Sequence, residues 1–329
     1  MGQVAAPRMI SCVLALATLT LGACSSGPTL TGGRPSVSGV AGGDAPGTAA
    51  DPASPSQSPA PSALTPELYK SELKSGHDGV RDALKSMLAA RTVKTLGQRV
   101  GGAQRALVGA ADGLDAVVPP VEVAAQHEAY VTGLRDVAAR LDFAREKVAA
   151  WNLCTPSAVL TDLGAALTTL DKAGEALEEA GDYPADVVSA KAAKKQNRRL
   201  GNGHFLRKGG LGGRSSLQIH NGGTSDAVVN VMRGKSKVMS VYVRRKAKFK
   251  INSVRDGNYR IYFTHGVDWD RKSRAFTREC SFERFQKPVK FKTTVTATQI
   301  LWHDWRITLH AISGGNARTS KVNPEDFPN

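Results

Sequence analysis

Cysteine is scarce: the 329 residues contain four, at positions 12, 24, 154 and 280, so the placement of each one carries weight. Long apolar runs are missing after residue 21. A transmembrane helix needs about 20 predominantly apolar residues, so no later segment is expected to cross a bilayer. No Gly-x-Ser-x-Gly marks an activated serine. The helical region lacks the Glu-x-x-His pairs that a di-metal bundle requires. Gly234-Lys235-Ser236 ends like a phosphate loop, but that motif needs a glycine five residues before Gly234, where Val229 stands. No cofactor or metal is expected. Acidic residues are also short, 29 against 44 Lys and Arg, for a net charge of +15.

What is present begins with a leader. Met1 to Arg8 is short and cationic, and Met9 to Leu21 is a 13-residue apolar run, too short to span a bilayer. Leu21-Gly22-Ala23-Cys24 follows. Small residues beside a cleavage point mark a signal peptide, and a cysteine immediately after them resembles the lipobox of bacterial lipoproteins. The resemblance implies cleavage before Cys24 and a diacylglyceryl group on its thiol, so that the chain is held at the outer face of the cell membrane. Cys12 lies inside the apolar run and is expected to leave with the leader. No twin arginine is present, so export by the general secretory route is the default.

Residues 24–64 are rich in Ser, Gly, Ala, Pro and Thr and poor in large apolar side chains. Such composition cannot offset the entropy of ordering, which predicts a disordered tether with a root-mean-square reach of roughly 35 Å.

From residue 65 the pattern turns helical. Thr65-Pro66 and Thr155-Pro156 each offer a hydroxyl cap followed by proline at the first helical position. Four apolar stripes follow: Leu68, Leu73, Val80, Leu84, Met87 and Leu88; Val93 to Leu114; Tyr130 to Trp151; and Leu160 to Leu177. Their three- and four-residue steps and short breaks predict an up-down four-helix bundle over 65–184. His127-Glu128 is expected on a solvated face, and His77 and Asp78 are expected to have no functional partner. Helical signal is expected to persist from Tyr183 to Lys195 before dissolving into a basic, glycine-rich linker over 185–212.

Beyond residue 213 the period falls to two. Short apolar runs separated by Asn221-Gly222-Gly223, Gly234 and Asp256-Gly257 predict an antiparallel β-sandwich to residue 329. The fold class is thus α + β, a bundle followed by a sandwich. The basic character belongs to the second part: residues 65–184 carry 13 Lys and Arg against 17 Asp and Glu, and residues 185–329 carry 29 against 10. Its densest stretch is Arg244-Arg245-Lys246-Ala247-Lys248-Phe249-Lys250. On one strand, Lys246, Lys248 and Lys250 would share a face. They either keep a sheet edge soluble or bind an anionic partner. Outside a membrane the polyanions at hand are lipid headgroups and phosphate-bearing wall polymers, with a protein as another possible partner and nucleic acid excluded by compartment. The aromatic residues of this region, Trp302 and Trp305 included, are expected mostly in the core.

Several spaced blocks give the C-terminal segment a likeness: Asn221-Gly222 with Asp226 to Val229, Val241-Tyr242-Val243, and Asp256-Gly257-x-Tyr259-Arg260. They continue with Gly266-x-Asp268-Trp269-Asp270, Trp305-x-Ile307-Thr308-Leu309-His310 and the ending Pro324-Glu325-x-Phe327-Pro328. In these the segment resembles an uncharacterised β-sandwich module of bacterial, many of them actinobacterial, proteins, and the helices resemble alanine-rich bundles of actinobacterial lipoproteins. Neither likeness implies catalytic residues. Cys154 and Cys280 would either pair across the two domains in an oxidising compartment or remain as buried thiols. The expected function is a non-enzymatic, membrane-anchored binding or scaffold protein of the cell envelope. The competing expectation is an envelope enzyme, or its accessory subunit, acting on wall polymer, which would require His303, Asp304, His310, Asp268 and Asp270 to converge in one cleft.

Overall fold

The structure is a computed structural model that describes residues 62–188, 194–310 and 318–328. The lipobox, Cys24 and the tether up to residue 61 lie outside the described residues.

Four helices come first: α1 Pro66–Leu88, α2 Val93–Asp115, α3 Ala124–Ala149 and α4 Pro156–Gly181. Thr65, Thr92 and Thr155 cap α1, α2 and α4 by accepting backbone N–H groups through their hydroxyls, and Pro66 and Pro156 occupy the first turns. The stripes meet in one apolar core. In α1 the buried residue of the first turn is Tyr69, whereas Leu68 is exposed. His127 departs from expectation, because it is buried and its Nδ1 shares a 2.8 Å hydrogen bond with the Tyr69 hydroxyl. Burial pushes the His127 pKa down, so the imidazole is a polar bolt between α1 and α3.

Helix α4 stops at Gly181, and residues 182–188 are not helical, while 189–193 lie outside the described residues. Instead Tyr183, Ala185 and Val187 are buried in the same core. Tyr183 packs edge-on to Tyr69, and His77 Nε2 lies 2.7 Å from the Asp186 carbonyl. The stretch read as the start of a linker is therefore packed between α1 and α4. Gly174 allows it, since a Cβ there would lie 2.6 Å from the Ala185 carbonyl oxygen.

The β region begins earlier than residue 213. Its strands are β1 His204–Arg207, β2 Leu211–Asn221, β3 Asp226–Arg233, β4 Ser236–Val243, β5 Ala247–Val254 and β6 Gly257–Asp270. Then come β7 Ala275–Phe285, β8 Val289–Phe291, β9 Thr293–Val295, β10 Ile300–Trp302, β11 Trp305–Thr308 and β12 Thr319–Lys321. The large sheet runs β1-β4-β3-β6-β7-β12, with β8 also on β6, and a second sheet runs β11-β2-β5. Pairing is antiparallel except for β11 on β2. The inner residues Leu217, Ile219, Ile251 and Ile307 of the small sheet share a core with Val229, Val241 and Phe263 of the large one, a two-layered sandwich.

The other face of the large sheet meets the bundle. The α3–α4 loop lies along β7: Cys154 N–H donates to Thr277 O at 2.9 Å and Cys280 N–H to Trp151 O at 2.9 Å. Tyr242, Trp269, Phe276, Leu200 and the Cys154–Cys280 disulfide form a small apolar cluster at this junction. No described helix is long and apolar enough to cross a membrane.

Candidate anionic-partner interface

The five basic residues of the densest stretch do not share one strand face. Strand β5 starts at Ala247, and Arg244 to Lys246 form the β4–β5 turn, with Lys246 in the left-handed region at φ 57°. Three of them have local structural work. Arg244 Nε donates to Leu200 O at 2.7 Å, Arg245 N–H donates to Asp226 Oδ1 at 2.8 Å, and Lys246 Nζ donates to Gly222 O at 2.7 Å. Lys248 and Lys250 do project together from β5, both exposed and without an ion-pair partner among the described residues.

The small sheet completes a face around them. Its register sets Lys250 opposite Gln218 and Gln218 beside Arg306, and in the next row sets Lys248, His220 and Thr308 side by side. Directly paired residues point the same way, and Arg306 Nε indeed donates to Gln218 Oε1 at 2.8 Å. These six side chains include three cations and no carboxylate. The His220 pKa is held below its ordinary value by burial first and then by Lys248, His310, Arg306 and Lys246. A field of that sign favours an anion in front of the sheet.

Two cations of the stretch expected as a linker, Arg198 and Arg199, are engaged internally. Arg199 forks onto Asp226 with two contacts of 2.6 Å, and Tyr242 donates to the same carboxylate. Arg198 forks onto Asp268 at 2.9 Å and reaches Asp270 at 2.9 Å. Burial would raise the pKa values of Asp226 and Asp268, but the hydrogen bonds from Arg199, Tyr242 and the Arg245 N–H, and from Arg198 and Thr277, hold both below the usual carboxylate range.

The residues that an enzyme would need are engaged separately. Asp268 and Asp270 hold Arg198, Asp304 accepts the Ser216 N–H at 2.6 Å, His303 Nδ1 lies 3.1 Å from Lys292 O, and His310 Nδ1 accepts the Gly222 N–H at 3.0 Å. Among the described residues no group of three or more His, Cys, Asp or Glu could hold a metal.

The chain matches no family model, no curated protein and no solved structure.

Two contributors to the basic face, His220 and Arg306, are invisible to a linear reading. The parallel register joins residues 88 positions apart, and the sequence suggests only a strand over Trp305 to Ile312, without its partner. Trp302 and Trp305 depart from expectation in another way, for both are exposed.

Proposed function

We propose that the chain is a membrane-anchored lipoprotein of the cell envelope, acylated on Cys24, whose sandwich domain binds an anionic partner through the outer face of β11-β2-β5 without catalysing a reaction. The observation that carries the binding half is the row Lys250–Gln218–Arg306 beside Lys248–His220, cationic and free of carboxylates. The leader and Leu21-Gly22-Ala23-Cys24 support the anchoring half. The likeness to the bacterial sandwich module fits this reading and adds no residue roles. The bundle, whose packed interior is apolar, serves as spacer or docking body.

Three measurements test it. Metabolic labelling with a fatty acid should mark the parent chain and not Cys24→Ser. Cosedimentation with a phosphate-bearing wall polymer should weaken as salt rises, because exposed charges are screened beyond about 10 Å at 0.1 M. Lys248→Glu with Lys250→Glu should weaken it further, and the His220 pKa should rise toward normal when the polymer binds. Binding indifferent to salt and to charge reversal would remove the sheet face from the proposal.

A further inference from the structure

The β9–β10 hairpin belongs to neither sheet of the sandwich. Among the described residues its strands pair only with each other. Thr296 closes the turn: its N–H donates to Gln299 O at 2.8 Å, and its Oγ1 accepts the Gln299 N–H at 3.0 Å. On this hairpin Val295 is 72% exposed, Ile300 41%, Leu301 51% and Trp302 48%, and Trp305 just beyond it is 39% exposed. A single exposed apolar side chain means little, but four on one projection with a fifth beside it do not fit a surface meant for water. From Thr293 to Trp302 there is no charged residue, so the usual lysine protection of an exposed strand is missing.

The base of the hairpin is both rigid and cationic. Thr293 donates its N–H and Oγ1 to Asp256 at 2.7 and 3.0 Å, and Trp305 Nε1 donates to Lys290 O at 2.9 Å. Lys290 and Lys292 are exposed immediately before β9. Beside Thr293 a cleft of about 500 Å³ is lined by Arg214, Arg255 and Asp256; Asp256 is held by Thr293, and neither arginine is ion-paired among the described residues.

We propose that this hairpin is a membrane-insertion element that seats in the interface of an anionic phospholipid bilayer, with the cations at its base on the lipid phosphates. This rests on the reading that the chain is held at a membrane. Three-residue strands reach roughly 10 Å, which matches the depth of about 5–10 Å to which interfacial elements bury. Trp302 and Trp305 supply rings that favour the headgroup level, and Lys290, Lys292, Arg214 and Arg255 supply the charge that an anionic leaflet attracts. A soluble polyanion would satisfy the cations and leave the apolar tip in water.

The test uses the chain from residue 24 onward with Cys24→Ser, which keeps every described contact and carries no acyl group. With phosphatidylglycerol vesicles, tryptophan emission should shift to the blue and be quenched by brominated acyl chains, and phosphatidylcholine vesicles should bind far less. Ile300→Asp with Leu301→Asp should weaken vesicle binding about tenfold or more, at an unchanged melting temperature because both positions are exposed. Vesicle binding unchanged by the two aspartates, or no emission shift, would overturn the insertion. So would a self-association that the two aspartates abolish while vesicles go unbound. Acylation of Cys24 is read separately by labelling, so loss of the anchor reading and loss of the insertion give different results.

Discussion

Cys154, in the loop that ends α3, and Cys280, in the middle of β7, are bonded with their Cα atoms 6.5 Å apart across 126 residues of chain. The bond ties the bundle to the outer face of the large sheet, where backbone hydrogen bonds already lay the loop along β7. A closed loop of this length restricts the unfolded chain by an amount equivalent to about 4–5 kcal/mol. Replacing both cysteines with alanine should therefore lower the urea midpoint substantially, and reductant should do the same to the parent. Equal midpoints would show that the bond contributes nothing to cohesion.

Asp226 gathers Arg199, Tyr242 and the Arg245 N–H on one buried carboxylate. Asp226→Asn should cost about 2 kcal/mol, less than a fully buried pair because Arg199 is partly exposed. Asp226, Asp268 and Asp270 all have folded pKa values below the ordinary carboxylate value. Their contribution is complete above the ordinary carboxylate range and is lost as pH falls through the lowered values. Acid unfolding followed by circular dichroism should show a shallower decline in Asp226→Asn than in the parent.

His265 behaves oppositely in origin but not in sign. Burial, with a smaller push from His310, brings its pKa down to about 4, and its buried Nε2 has no hydrogen-bond partner among the described residues. The unfolded chain takes up this proton near pH 6.5 and the folded chain only near 4. Between those values the unfolded state binds more protons, so stability falls as pH falls. His265→Leu should flatten the stability profile between pH 6.5 and about 4. An unchanged slope there would assign it to other groups.

Two glycines on helices should respond with opposite signs. Gly174→Ala sets a methyl 2.6 Å from Ala185 O and must push the 183–188 segment off α4, which costs about 1–3 kcal/mol. Gly102→Ala in α2 meets nothing within 4 Å and should stabilise by about 0.5–1 kcal/mol through helix propensity. Thermal melting of both variants distinguishes the close approach from a general effect of glycine.

The sequence by itself determined the elements whose cause is local. Threonine caps, prolines at first turns and three-four apolar spacing placed four helices. Alternation and glycine turns placed β3 to β6, and both devices act over a few residues. It also located the excess of positive charge, because charge is counted and not folded. Tertiary structure decided which charges remain free. Arg198 and Arg199 look like linker cations, yet two forks onto Asp268 and Asp226 use them up. Lys246 looks like a strand lysine, yet a left-handed turn turns it to Gly222. Arg306 joins the basic face only because β11 lies parallel to β2. It likewise decided that Trp302 and Trp305, aromatic and expected in the core, stand in solvent on and beside a hairpin that no sheet covers. Burial and pairing are properties of surfaces brought together from distant parts of the chain, and no window of sequence contains both partners.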